Sequence, residues 1–223
     1  YVFAHARKGD GEDVAGASML FFGDTMLGRG VEDAIESKTD LFAGIRGPEG
    51  NFLKGYDAIA LNLEGAIASD VCGAGSDELL VQSDNLEFLV REHISHAGVK
   101  NNHFLKCERE VSESIIENSG LESLSDFSVV KGTGHDIAVM SVYAAPVSSD
   151  TTSIVNEVRS YSNTYENLVV NIHWGVEYST EPTKAQTELA HDIIDAGADV
   201  IIGHHPHVVQ TVEDYNDGLI VYS

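Results

Sequence analysis

Short apolar, β-branched runs alternate with helix-patterned segments over most of this chain, and that alternation predicts an α/β fold. Strands are expected at 18–22, 58–61, 137–143, 168–172, 200–202, 208–212 and 219–222. Between them, 84–96 reads as a helix, with Asp84 and Glu87 in capping-box register. Further helices are expected at 110–117, 152–161 and 182–196, the last with Pro182 in its first turn and Gly197 just past its end. Tyr215-Asn216-Asp217-Gly218 reads as a turn, with Asp-Gly as its strongest signal.

Composition narrows the function classes. Of 223 residues, 36 are acidic and 13 basic, a net charge of −23, which argues against a nucleic-acid footprint and against electrostatic docking onto anionic lipid. Hydrophobic residues make up 43%, enough for a sizeable core. No apolar run approaches the ~20 residues of a membrane span. The two cysteines, Cys72 and Cys107, are too few for a disulfide scaffold, and the sequence leaves their pairing open. The Gly-rich, charged stretch 8–17 makes residues 1–17 a flexible lead-in to one domain over 18–223. The apolar run 218–223 stops where a strand should still be pairing, which predicts a C-terminal truncation.

The candidate chemistry is positional. Asp24, Asn62 with Glu64, His173, and then His204, His205 and His207 each follow an apolar strand directly. In open α/β sheets the strand C-termini line the ligand crevice, so one fold can gather these separate segments. With Asn101-Asn102-His103 they form a pool of oxygen and nitrogen donors that suits zinc, manganese or iron. Three histidines within Gly203-His204-His205-Pro206-His207 are the strongest single signal. His5, His93, His96, His135 and His191 lack such a setting and read as ordinary surface or core residues.

Taken in order, Gly23-Asp24-Thr25-Met26-Leu27-Gly28-Arg29-Gly30, Asn62-Leu63-Glu64, Asn101-Asn102-His103, His173-Trp174-Gly175-Val176-Glu177-Tyr178 and Gly203-His204-His205-Pro206-His207-Val208 resemble the bacterial capsule synthesis family of CapA/PgsA type, associated with poly-γ-glutamate. That family is similar in turn to the calcineurin-like metallophosphoesterases. The resemblance implies a four-layer α/β/β/α sandwich with one or two divalent ions (manganese, zinc or iron) at the strand ends. By position, Asp24 would hold one ion, and Glu64, with Asn62, would stand at the bridging carboxylate. Asn102 and His173 would bind the second ion, and His205 and His207, with His204 next in line, would complete the set. His103 would be the acid that protonates the leaving group, and Arg29, Trp174 and Glu177 would contact substrate. Met26 stands where the superfamily has a histidine. The implied role is capsule polymer assembly or export with membrane synthase subunits, at the extracytoplasmic face of the membrane. The alternatives are an active phosphoesterase on a small or lipid-linked phosphate ester and a non-catalytic polymer-binding scaffold.

Overall fold

The computed structural model describes residues 2–5, 16–67, 79–104, 108–148 and 150–223. Most of the lead-in, together with Cys72 and Cys107, lies outside the described residues. Two sheets carry the architecture. The first orders its strands β1 (Val2–His5), β2 (Ser18–Thr25), β3 (Ala58–Leu63), β6 (His96–Gly98) and β7 (Glu122–Leu124) side by side. All pair parallel except β1, which runs antiparallel to β2 at the edge. Val2–His5 is thus strand where a flexible lead-in was expected.

The second sheet has the order β12 (Val212–Tyr215), β13 (Gly218–Val221), β11 (Val200–His204), β10 (Leu168–Trp174), β9 (Ile137–Ala144) and β8 (Phe127–Val130). Its four central strands are parallel, and its two outermost are antiparallel. A small parallel pair, β4 (Ala66–Ile67) and β5 (Leu80–Val81), stands apart from both.

Period-2 alternation sets the layers. Met19 and Phe21 of β2 and Ala58 and Ala60 of β3 pack face to face with Val139, Val169 and Ile202 of the other sheet. The intervening residues point outward. Leu20, Ile59 and Leu61 meet Leu86 and Leu89 of α2 (Ser83–Arg91) and Ile116 of α3 (Arg109–Asn118). Val170 and Ile172 meet Val158 of α4 (Thr152–Ser162) and Leu189 and Ile193 of α5 (Lys184–Asp195). The result is the α/β/β/α order of four layers. A seven-residue helix, α1 (Gly30–Glu36), follows β2.

Several local expectations change. Residue 91 ends α2, His93 turns the chain with φ 66°, and His96 already belongs to β6, a short parallel strand between β3 and β7. Its N-cap is Gln82, without a side-chain cap, so the Asp84–Glu87 box does not form. The capping box appears instead at α5, where Thr183 and Gln186 satisfy each other reciprocally and Pro182 stays outside the helix. The 208–212 run contributes only Val212 to a strand. The β12–β13 hairpin turns on Asn216, with φ 49°, and Asp217, while Gly218 already belongs to β13. β13 is flanked by β11 and β12, so the expected unpaired apolar edge is absent there.

Candidate metal centre

The inner faces of the two sheets change character toward the strand C-termini. Along β3 the inward series reads Ala58, Ala60, Asn62 and then, just past the strand, Glu64; along β10 it reads Val169, Asn171, His173; along β11 it reads Ile202, His204. Apolar contact thus gives way to donors at one end of the sandwich. β2 joins this row through a bulge. Phe21 pairs with Ala60 and Asp24 with Asn62, so one extra residue is inserted. Without it Gly23 would stand beside Asn62; with it Asp24 does. The carboxylates therefore come from the first sheet and the imidazoles from the second.

Ligand atoms of Asp24, Glu64 and His207 lie within 4.8 Å of one another, as do those of Glu64, His173 and His205. Glu64 belongs to both groups. Its Oε1 is 3.6 Å from His173 Nε2, and its Oε2 is 3.7 Å from His207 Nδ1. It is fully buried, and neither oxygen receives a hydrogen bond. Asp24 Oδ2 lies 3.0 Å from His207 Nδ1 and accepts from the His205 backbone N–H at 3.0 Å. Asn102 Oδ1 is 2.9 Å from His173 Nε2. A further group, Glu177 with His205 and His207, sits at the more exposed mouth.

Two asparagines to which the sequence assigned no ligand role hold this arrangement. Asn101 is buried and donates to Asn62 Oδ1 at 3.2 Å and to the Leu63 carbonyl at 2.8 Å, while its own oxygen accepts from the backbone N–H of His103 and Phe104. Asn171 Oδ1 meets His204 Nε2 at 2.7 Å. A proton on that nitrogen leaves the lone pair of Nδ1 facing Asp24 Oδ1 at 3.5 Å, the orientation of a ligand. Asn62 donates to Asp24 Oδ1 at 2.7 Å and lies 3.3 Å from His173 Nδ1. The structure gives it the place of an organising amide between these two residues.

The histidine loop is held in strained backbone. His205 has φ 99° and His207 φ 57°, unusual for residues with a Cβ. The Pro206 carbonyl between them accepts from the Tyr178 N–H at 2.8 Å. Gly203 has no room for a side chain: a Cβ there would stand 2.1 Å from the Tyr222 carbonyl oxygen.

Electrostatics fit a cation. Burial opposes charge on Asp24, yet the His204 and His207 rings and the Asn62 amide outweigh it and hold the carboxyl well below the usual range. Burial, reinforced by the Asp24 charge, pushes Glu64 up to about 7. Burial drives His173 down to about 3 and also lowers His205, so both present neutral rings. The hydrogen bond to Asp24 raises His207 despite burial. Both Glu64 oxygens, His204 Nδ1 and His205 Nδ1 are buried without hydrogen-bond partners. Orphaned lone pairs of this kind, on carboxylate and imidazole, fit a divalent metal.

Other candidates fall outside the cluster. Trp174 is fully buried, donates from Nε1 to the Tyr222 carbonyl at 3.0 Å and stacks on the Tyr222 ring, so it is a core residue out of a substrate's reach. Arg29 is exposed at the start of α1. His103 is half-buried in the turn after Asn102 and is not in the metal-type groups found among the described residues. Met26 is exposed on the rim, and the imidazole nitrogens beside Asp24 come from His204 and His207 of the opposite sheet.

Residues 119–223 match the model of a family described as bacterial capsule synthesis protein PGA_cap. Over 56 residues, a quarter of the chain, the sequence is 54% identical to a capsule biosynthesis protein CapA of Bacillus anthracis and 52% identical to a PGA biosynthesis protein CapA of Bacillus subtilis strain 168. The match spans only 14% and 15% of those relatives. A hypothetical protein from Thermus thermophilus shares the fold, with a TM-score of 0.58 at 16% identity over 91% of this chain and 74% of that one.

Proposed function

We propose, for a chain whose residues 119–223 match the bacterial capsule synthesis family, a metal-dependent phosphoester hydrolase working in capsule biosynthesis. The observation that carries this reading is Glu64: a buried carboxylate whose two oxygens face two different sets of donors. Asp24, His204 and His207 would hold one ion and Asn102, His173 and His205 the other, with Glu64 between them. Paired divalent ions, when bound, polarise phosphoryl oxygens and lower the pKa of water.

The chain's own groups supply the rest. Hydrolysis of a phosphate monoester joins a water oxygen to phosphorus, breaks the bond to the alcohol oxygen and delivers a proton to the departing alkoxide. His103, the residue the family resemblance assigns to that proton, would act as the general acid. Asn62 and Asn101 keep Asp24 and His173 in register, and Asn171 fixes the His204 ring. The proposed setting is poly-γ-glutamate assembly or export with membrane partners at the outer face of the membrane.

A non-catalytic polymer-binding subunit is the second reading, and Met26 in place of a nitrogen donor favours it. Elemental analysis after dialysis and hydrolysis of an aryl phosphate with manganese, zinc or iron separate the two. The hydrolase reading expects retained metal and turnover, with His205→Ala losing both. His103→Ala should keep the metal and lose roughly 10²–10⁴-fold in turnover. Retained metal without turnover on any phosphoester would leave the scaffold reading standing, and no metal at all would remove both the centre and the hydrolase.

A further inference from the structure

Among the described residues, the large apolar and aromatic side chains left exposed are Met26, Tyr143, Val176, Tyr178, Val209 and Val212. They are not scattered over the surface. Met26 follows β2, Tyr143 lies at the end of β9, Val176 and Tyr178 follow β10, Val209 follows β11, and Val212 pairs with Val221 at the same end of the second sheet. All of them sit at the end of the sandwich that carries the metal-type donors. For a chain of net charge −23, this is a concentrated apolar collar around one polar site.

On one side of the collar a cavity of about 500 Å³ opens between the ends of β2 and β11 and the segment 208–212. Its walls are apolar, with Phe22, Met26, Val209 and Val212 among them, and Asp24, His204 and His207 line it as well. The cavity is therefore continuous with the donor set. A molecule lying in it has one end beside the Asp24 ion position and the rest against hydrocarbon. The volume lies within the range of small-ligand pockets.

We propose that this cavity is the binding site for the apolar alcohol portion of the substrate, so that the phosphate esters taken by the site carry a long alkyl or isoprenyl chain. The proposal rests on the hydrolase reading and names its substrate class. Tail and headgroup divide the recognition between them: the donor set takes the phosphate, and the collar takes the chain. The chain's hydrocarbon, not its charge, then sets selectivity, because hydrophobic burial scales with the area removed from water.

The test uses n-alkyl phosphates from methyl to decyl below their micelle-forming concentrations, with phosphate release as the readout. A parallel titration of the metal-free protein uses the corresponding n-alkanols. Affinity should rise about two- to fourfold per added methylene until the chain outgrows the cavity, in both series. Val209→Asp and Val212→Asp should flatten both series; each wild-type side chain is exposed, and an unchanged melting temperature verifies the fold. Hydrolysis of methyl phosphate with no chain-length dependence overturns the tail site and leaves the hydrolase reading standing. Chain-dependent alkanol binding with no hydrolysis of any ester keeps the tail site and removes the hydrolase. A flat alkanol series together with a dimer that Val209→Asp dissolves would assign the cavity to a second copy of the chain and overturn the proposal.

Discussion

Glu64→Gln should stabilise the metal-free protein selectively at alkaline pH. The buried Glu64 side chain has no hydrogen-bond donor on either oxygen and shares its surroundings with the Asp24 carboxylate. Its displacement from an ordinary glutamate value of 4.5 to about 7 corresponds to about 3 kcal/mol. The sign follows from proton counting. Between those values the folded state holds a proton that the unfolded state has released, so stability falls as pH rises and the full cost is present above pH 7. The glutamine variant lacks this titration, and whatever its amide costs is the same at every pH. In EDTA, the wild type should therefore lose about 3 kcal/mol relative to Glu64→Gln between pH 5 and pH 8.5. For a chain of this length that is roughly 6–12 °C in the difference between their melting temperatures. Added manganese should offset this deficit, because an ion that binds only the folded state contributes about 4.1 kcal/mol at a thousandfold excess over its Kd. Thermal melts of both proteins across that pH range, with EDTA and with manganese, are sufficient. A wild-type-minus-variant difference that stays flat with pH in EDTA would refute the reasoning, since Glu64 would then be paired or solvated in the folded protein.

Three further outcomes are expected. Asn171→Ala removes the acceptor that orients His204 and should weaken metal binding about 10–100-fold, measured by competition with a chromophoric chelator. Gly203→Ala places a methyl group 2.1 Å from the Tyr222 carbonyl oxygen and 2.6 Å from Trp174 Nε1, so it should cost about 3 kcal/mol or more in a denaturant melt, and full retention of stability would show that β11 and β13 can separate freely. Asp57 accepts from the backbone and hydroxyl of both Ser18 and Thr133, and its carboxyl is held below the usual range by the Ser18 backbone N–H, with Thr133 and the Ser18 hydroxyl adding to it against the opposing effect of burial. Asp57→Asn should thus lower the melting temperature at neutral pH, and the gap should close as the pH falls through the folded carboxyl's value, where the wild type loses the same contribution.

The legible parts of this molecule are those where one physical requirement acts alone. β10 and β11 are buried on both faces, so they read as apolar runs ending in histidine, broken in β10 only at Asn171, and the strand-end rule then gathers the donors at one end. β6 was illegible because it is too short and small: His96, Ala97 and Gly98 make no apolar run, and Gly98 is where Asn171 comes close, 3.1 Å from a Cβ that is not there. The bulge in β2 was equally invisible. Simple alternation from Phe21 aims Gly23 inward, and only the tertiary pairing shows that Asp24 takes that place. Asn171 was missed because it looks like an isolated polar residue in an apolar run, and its signal is position, two residues before His173 on the same strand face. Asn101 stands inside the Asn101-Asn102-His103 motif, but nothing in the sequence separates a scaffolding amide from a ligand. Trp174 misled in the opposite sense. Its place in a ligand motif suggested substrate contact, but the residue after an inward-facing histidine on a strand must point to the other face, into the helical layer.

The division of donors between the sheets has a mechanical meaning. Within the two groups that share Glu64, each sheet offers a single kind of ligand, oxygen from the first and nitrogen from the second, and neither sheet alone supplies either group. An ion seated at the strand ends would act as a clasp across the mouth of the sandwich, fastened only when both leaves are in register. Its affinity would then gauge how completely the two leaves have closed. Substitutions deep between them, at Ala60 or Val169 for instance, would be felt as a loosened grip on metal many residues away.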